Sequence, residues 1–101
     1  MVFNVELVLN LKRNNMKVIF KYQLKPMVLL PKGALVLKVG IQNGELFIWA
    51  LVDPNETTHI ERAFEIIGTG HSFEHDYLKH RHIDTIFDGP FVWHIWEVNK
   101  N

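Results

Sequence analysis

Apolar and polar positions alternate along most of this chain. Val5, Leu7, Leu9 and Leu11 interleave with Glu6, Val8 and Asn10, a pattern that suits a short strand or an appendage ahead of the polar Lys12-Arg13-Asn14-Asn15. From Lys17 the alternation is clearer. Val18, Phe20, Tyr22 and Leu24 share one face, while Lys17, Lys21 and Lys25 project from the other with Ile19 and Gln23, giving a strand with a basic outer side. Pro26 and the Leu30-Pro31-Lys32-Gly33 step interrupt it, because proline cannot donate to a ladder and glycine admits positive φ, so a turn is expected there.

Ala34 to Asp53 carries the strongest local signal: two strand-like runs joined by Asn43-Gly44, the pair favoured in a two-residue type I′ hairpin. A loop of that length sets Gln42 opposite Glu45 and Val39 near Ile48. Leu35, Leu37, Val39 and Ile41 then share a face with Leu46, Ile48, Ala50 and Val52, and this face is expected to be core. The opposite face carries Val36, Lys38 and Gly40 beside Phe47, Trp49 and Leu51, with Lys38 across from Trp49. Such a face is too apolar to be wholly wet, which makes Val36, Phe47, Trp49 and Leu51 candidate interface residues.

Asp53-Pro54-Asn55 ends the hairpin by turn chemistry, and Arg62 to Thr69 alternates again as a strand. Glu56 to Ile67 also has helical spacing at Ile60, Ala63, Phe64 and Ile67, against which stand its β-branched residues and Gly68. Gly70 to His80 reads as a long polar loop or a short helix. Ile83 to Phe87 and Phe91 to Val98 read as a second hairpin about Asp88-Gly89-Pro90. Proline disfavours a tight two-residue loop there, because the residue before it is pushed toward extended geometry, and the register stays open. Short strands at this spacing predict an all-β domain, a small antiparallel β-sandwich or a partly open barrel with one long polar loop.

Composition narrows the function classes. A chain of 101 residues has room for one core, and 48% apolar with 22% charged residues is close to the globular average. No apolar run approaches the roughly 18 residues of a membrane span, and no secretory leader pattern opens the chain, so a cytoplasmic protein without membrane association is expected. The absence of cysteine excludes disulfides, thiolate nucleophiles and cysteine-ligated metals. A formal net charge of zero argues against general nucleic-acid binding. The lysines nevertheless fall mainly before Gly40 and the carboxylates mainly after it. Either the two halves pair their charges across the sheet, or the lysines form a basic strip for an anionic partner.

Six histidines, His59, His71, His75, His80, His82 and His94, raise the question of a metal. His71 and His75 have the i, i+4 spacing of a helical zinc pair. His80-Arg81-His82-Ile83-Asp84 matches the start of the His-x-His-x-Asp-His signature of metallo-β-lactamase-like hydrolases, but Thr85 stands where the next histidine belongs and the chain is too short for that fold. Ser72 lies in no nucleophile-elbow pattern. The expectation is therefore no metal, no cofactor and no enzyme activity, with His94 a hydrogen-bonded structural histidine in a strand. Gly68-Thr69-Gly70-His71 is a candidate anion cradle, since glycines let successive backbone N–H groups point into one concavity. With Lys38 as the nearby charge and Trp49 as a stacking surface, Gly68, Thr69, Gly70 and His71 form the candidate ligand-binding set for a nucleotide-like molecule.

The strings Lys17-Val18-Ile19-Phe20-Lys21-Tyr22, Leu30-Pro31-Lys32-Gly33-Ala34, Gln42-Asn43-Gly44, Trp49-Ala50-Leu51-Val52-Asp53-Pro54, Gly68-Thr69-Gly70-His71 and Phe91-Val92-Trp93-His94-Ile95-Trp96-Glu97 resemble a family of small domains encoded by phages and prophages, itself of unknown function. The resemblance runs from Met16 to Val98. It divides the chain into residues 1–15, an N-terminal extension or extra strand, and 16–101, one β domain. It implies a phage-encoded binding protein acting in the host cytoplasm by counter-defence or host takeover, either blocking a host defence protein or sequestering a nucleotide-like signal. The alternatives are an assembly accessory protein that acts through self-association as a homo-oligomer and, ranked last, a small metal-dependent hydrolase.

Overall fold

A computed structural model describes residues 16–99. The described residues form seven strands and no α-helix: β1 (Val18–Gln23), β2 (Met27–Pro31), β3 (Leu35–Gln42), β4 (Glu45–Val52), β5 (His59–Gly68), β6 (Arg81–Asp88) and β7 (Phe91–Val98), with a single 3₁₀ turn at Tyr77–Lys79. No helix among them is long and apolar enough to cross a membrane. One antiparallel sheet is ordered β1-β4-β3 and the other β2-β5-β7-β6. They face each other, sandwich-like, about Leu30, Val39, Ile48, Val52 and Ile95, the largest fully buried side chains. The all-β class expected from the alternation holds. The extension or extra strand expected at 1–15 lies outside the described residues.

The Asn43-Gly44 hairpin forms as its loop length requires. Both central residues have positive φ, 53° and 79°, Gln42 faces Glu45, and Val39 faces Ile48, the signature of a type I′ turn. Lys38 lies across from Trp49, but the register then shifts between Val36 and Lys38, pairing Val36 with Ala50 and Leu35 with Leu51. A bulge reverses the in-and-out alternation beyond it. Val36 is consequently buried in the core while Leu35 and Leu37 stand 43% and 46% exposed. This corrects two expectations: Leu35 and Leu37 leave the core face, and Val36 leaves the candidate interface because the protein's own interior occupies its side chain.

Of three further local readings, the strand expected at Arg62 to Thr69 holds and two change. The segment open to a helical reading is strand β5, hydrogen-bonded on one side by β2 and on the other by β7. Met27–Pro31, where only a turn was expected, is a strand at the edge of its sheet, with proline confined to its final position, where a missing donor is tolerated. Gly89-Pro90 closes the second hairpin as a two-residue loop, with Asp88 facing Phe91. Gly89 has φ of 56°, and a positive φ followed by proline's fixed φ near about −65° is the sign pattern of a type II′ turn. The constraint before proline is met by glycine's access to the mirror-image region.

Between the sheets, β3 and β6 run edge to edge without a shared ladder. In an antiparallel hairpin bonded and non-bonded pairs alternate, so closure at Gln42 and Glu45 turns the Val39 N–H away from β4. It donates to Asp84 Oδ2 at 3.1 Å, the same oxygen that Lys38 Nζ reaches at 2.8 Å, while Thr85 N donates to Asp84 Oδ1 at 2.9 Å. Partial burial pushes the Asp84 carboxyl up, but the hydrogen bonds from Lys38, Val39 and Thr85 and the charge of Lys38 outweigh it and hold the group below its ordinary value. Within the second sheet Arg62 grips Glu97 with two nitrogens, one at 2.7 Å, and donates a third N–H to the carbonyl of Ala34. This clamp ties β5 to β7 and to the start of β3.

Candidate functional site

The outer face of the second sheet is where polar chemistry gathers. Strand alternation turns His94 and Trp96 of β7 outward, opposite the inward Ile95. In β6 the register shifts between His82 and Asp84. That bulge puts His82 and Thr85 on one face, although residues three apart in a regular strand point to opposite sides. Thr85 pairs with His94 and His82 with Trp96 across the ladder.

The segment from Gly70 to His80 is not a free polar loop. Phe73 packs on Trp96 with ring centroids 4.5 Å apart, and His75 Nε2 lies 2.6 Å from Glu65 Oε1 of β5. The Asp76 carboxylate accepts from Leu78 N at 3.1 Å and caps the 3₁₀ turn. His80 Nδ1 accepts from Asn99 N at 2.8 Å. The segment is thus a strap across the sheet, fixed by one aromatic contact, one charged contact and one backbone contact.

Where the strap leaves β5, a groove of about 330 Å³ opens, lined among others by Thr69, His71, Phe73, His82, His94 and Trp96. A hydrogen-bonded chain runs through its wall. Thr69 Oγ1 lies 2.7 Å from His94 Nε2, His94 Nδ1 lies 3.1 Å from Thr85 Oγ1, and Thr85 Oγ1 lies 3.0 Å from His82 Nε2. Two head-to-tail arrangements satisfy every contact. In one, Thr69 donates to His94, His94 to Thr85 and Thr85 to His82; in the other all three bonds reverse. Both ring nitrogens of His94 are engaged, so its ring orientation is fixed. Both ends of the chain, Thr69 and His82, line the same groove.

The expected ligand set is divided by the fold. Gly68, Thr69, Gly70 and His71 line the groove. Lys38 and Trp49 do not: they lie on the outer side of the first sheet, where Lys38 is paired with Asp84 and the Trp49 ring lies 3.2 Å from the position a Cβ on Gly40 would take. Two of the amides expected to cradle an anion are also spent, since Thr69 N donates to the carbonyl of Val92 and His71 N to that of Gly68. Gly70 has the positive φ, 89°, that the turn needs. Gly68 instead answers a spatial need, as a Cβ there would lie 3.3 Å from the His71 ring and 3.4 Å from Trp93. Among the described residues the groove's lining has no lysine, arginine or carboxylate. Its polar groups are imidazoles and a hydroxyl beside an aromatic wall.

His94 is hydrogen-bonded as a strand histidine was expected to be. The His-x-His-x-Asp string comes apart, with His80 facing Asn99, His82 facing Thr85 and Asp84 facing Lys38. Thr85 and Phe73 were not anticipated. Outward alternation in β7 marks His94 and Trp96 in the sequence, but nothing in it announces the β6 bulge that brings Thr85 and His82 to the same side. On the first sheet Phe47, Trp49 and Leu51 are half-buried, with Ile19 57% and Leu35 43% exposed around them.

Residues 16–101 match the model of a family described as a domain of unknown function, DUF7352. No curated protein and no solved structure matches the chain.

Proposed function

The chain belongs to the DUF7352 family, and we propose that it is a non-enzymatic binding protein that captures a small nucleotide-like molecule in the groove between the strap and the second sheet. The observation that carries this reading is a groove whose aromatic wall, made by Trp96 and Phe73, stands beside the imidazoles of His71 and His82 and the hydroxyl of Thr69. An apolar aromatic surface next to hydrogen-bonding side chains suits a ligand with one flat apolar part and one hydrogen-bonding or anionic part. Following the resemblance to phage-encoded domains, we propose that such capture serves counter-defence in the host cytoplasm, with a stoichiometric binder removing a signal without chemistry. Titration calorimetry with adenosine and its monophosphate tests it. The nucleotide is expected to bind about five-fold or more tightly than the nucleoside, and Trp96→Ala to abolish binding while Trp49→Ala leaves it intact. Equal behaviour of the two tryptophan variants, or turnover of the nucleotide, overturns the reading.

A second reading, self-association, is favoured by the outer face of the first sheet, where Ile19 and Leu35 remain 57% and 43% exposed beside Leu51 and Trp49. Contiguous apolar surface of this kind is commonly covered by a second copy. Light scattering at micromolar concentration should then give more than one subunit mass, lowered by Trp49→Glu. A monomer throughout that range defeats it.

A further inference from the structure

The two sheets part at the end of the sandwich where both hairpins turn. Ile41 and Leu46 of the first hairpin, Leu24, Ile66 of β5 and Trp93 of β7 line a cleft of about 460 Å³ there, a volume within the range of small-molecule sites. Ile41 lies on the face that buries Val39, and Ile66 on the face that buries Phe64, since each is two residues along the same strand. Yet Ile41 is 36% and Ile66 46% exposed. The core therefore continues outward as uncovered apolar surface.

The charge in this cleft has one sign. Among the described residues Glu45 and Asp88 are in its lining, and no lysine, arginine or histidine is. Among the described residues neither carboxylate has an ion-pair partner: Glu45 accepts from Gln23 at 3.5 Å and Asp88 from the Trp93 indole at 3.4 Å, both long contacts. Lys21, which shares the outward face of the first sheet with Glu45, is engaged with Gln42 and the ring of Phe47. An apolar hollow bordered by two carboxylates without an ion pair among the described residues, with an indole in its wall, is complementary to a hydrocarbon that carries a positive charge.

We propose that this cleft is a binding site for a small apolar ammonium ion, an alkyl- or arylamine protonated at neutral pH, with its hydrocarbon against Ile41, Ile66 and Trp93 and its nitrogen toward Glu45 and Asp88. The site is separate from the groove on the second sheet and does not depend on what that groove binds. Amide NMR titration of the full chain with 2-phenylethylammonium, 2-phenylethanol and 3-phenylpropionate is the direct test. The ammonium is expected to bind about ten-fold or more tightly than the carboxylate, with the alcohol between them, and to shift the amides of Ile41, Ile66 and Trp93. Asp88→Asn with Glu45→Gln should weaken the ammonium about five-fold and leave the alcohol unchanged. Ile66→Asn should weaken both, with a thermal melt confirming that this exposed position tolerates the change. Equal affinity for the three probes, shifts mapping elsewhere, or no binding overturns the proposal, as does tighter binding of N-acetyl-lysinamide, which would make a peptide side chain the occupant.

Discussion

The two sheets share one core but dispose of their outer faces differently. The first sheet turns Phe47, Trp49 and Leu51 outward and covers them only in part, with the Lys21 ammonium 4.6 Å from the Phe47 ring and the Trp49 indole over Gly40. The second sheet turns Trp96 and His94 outward and lays its own strap over them, through Phe73 and His75. Lysine stems can shield apolar surface while their charge stays in water, but they build no enclosed space. A strap does, because it approaches the sheet at fixed points and leaves a gap between them. The groove exists on the strapped face for that reason, and the bare face offers a surface instead of a site.

The largest expected effect separates the faces directly. Trp96→Ala removes the ring that Phe73 and His82 contact, and should cost about 2 to 3 kcal/mol, below the range for a fully buried tryptophan because this one is half-buried. Trp49→Ala, on the face without a strap, should cost about 1 kcal/mol. Urea denaturation of both variants measures the difference, and hydrogen exchange should show residues 72 to 80 losing protection only in the Trp96 variant. Equal costs, or a strap that stays protected, would break the distinction between the faces.

Next comes the seam that joins the faces. Asp84→Ala leaves the Val39 and Thr85 amides without their acceptor and should cost about 1.5 kcal/mol at pH 7. The Asp84 carboxyl is held below its ordinary value in the folded protein. Between the lowered value and the unfolded value near about 3.9, the unfolded chain binds more protons, so stability rises with pH through that window. The contribution is complete above the unfolded value and disappears as pH falls through the folded one. The gap between wild type and variant should therefore be constant from pH 7 to 5 and shrink below about pH 4. A gap that is the same at pH 3 would remove the carboxylate from the account.

How much of this was legible beforehand follows from what sets each feature. The Asn43-Gly44 hairpin was fully readable, down to the pairing of Val39 with Ile48, because a two-residue loop fixes register locally. The outward positions of His94 and Trp96 follow from alternation alone. The rest depends on tertiary pairing: bulges at Leu37 and Ile83 beside the β3–β6 seam reverse faces, and no residue type at those positions signals them. Val36 was misplaced for that reason, and Thr85 was missed. Chemistry alone groups Lys38 and Trp49 with Gly68 to His71, because residue types carry no topology. The sheet order puts them on opposite sides of the sandwich.

The smallest expected effects come from a glycine on each sheet, both serving ring packing at ordinary φ. A Cβ on Gly40 would come 3.2 Å from the Trp49 ring, and one on Gly68 would meet the His71 ring at 3.3 Å and Trp93 at 3.4 Å. Each contact is tight, so the outcome turns on whether the ring can give way. Trp49 lies on an open face and can tilt toward solvent. Gly40→Ala should therefore cost no more than about 0.5 kcal/mol, with tryptophan fluorescence shifted to the red. Gly68 is buried, with rings of two different residues close to the new methyl. Its change to alanine should cost about 1 kcal/mol and disturb the His71 and His94 ring resonances together, because moving His71 alters the groove at the Thr69 end of the hydrogen-bonded chain. If Gly68→Ala leaves the His94 resonances in place, the turn and the chain are mechanically independent, and the groove's geometry rests on the strands alone.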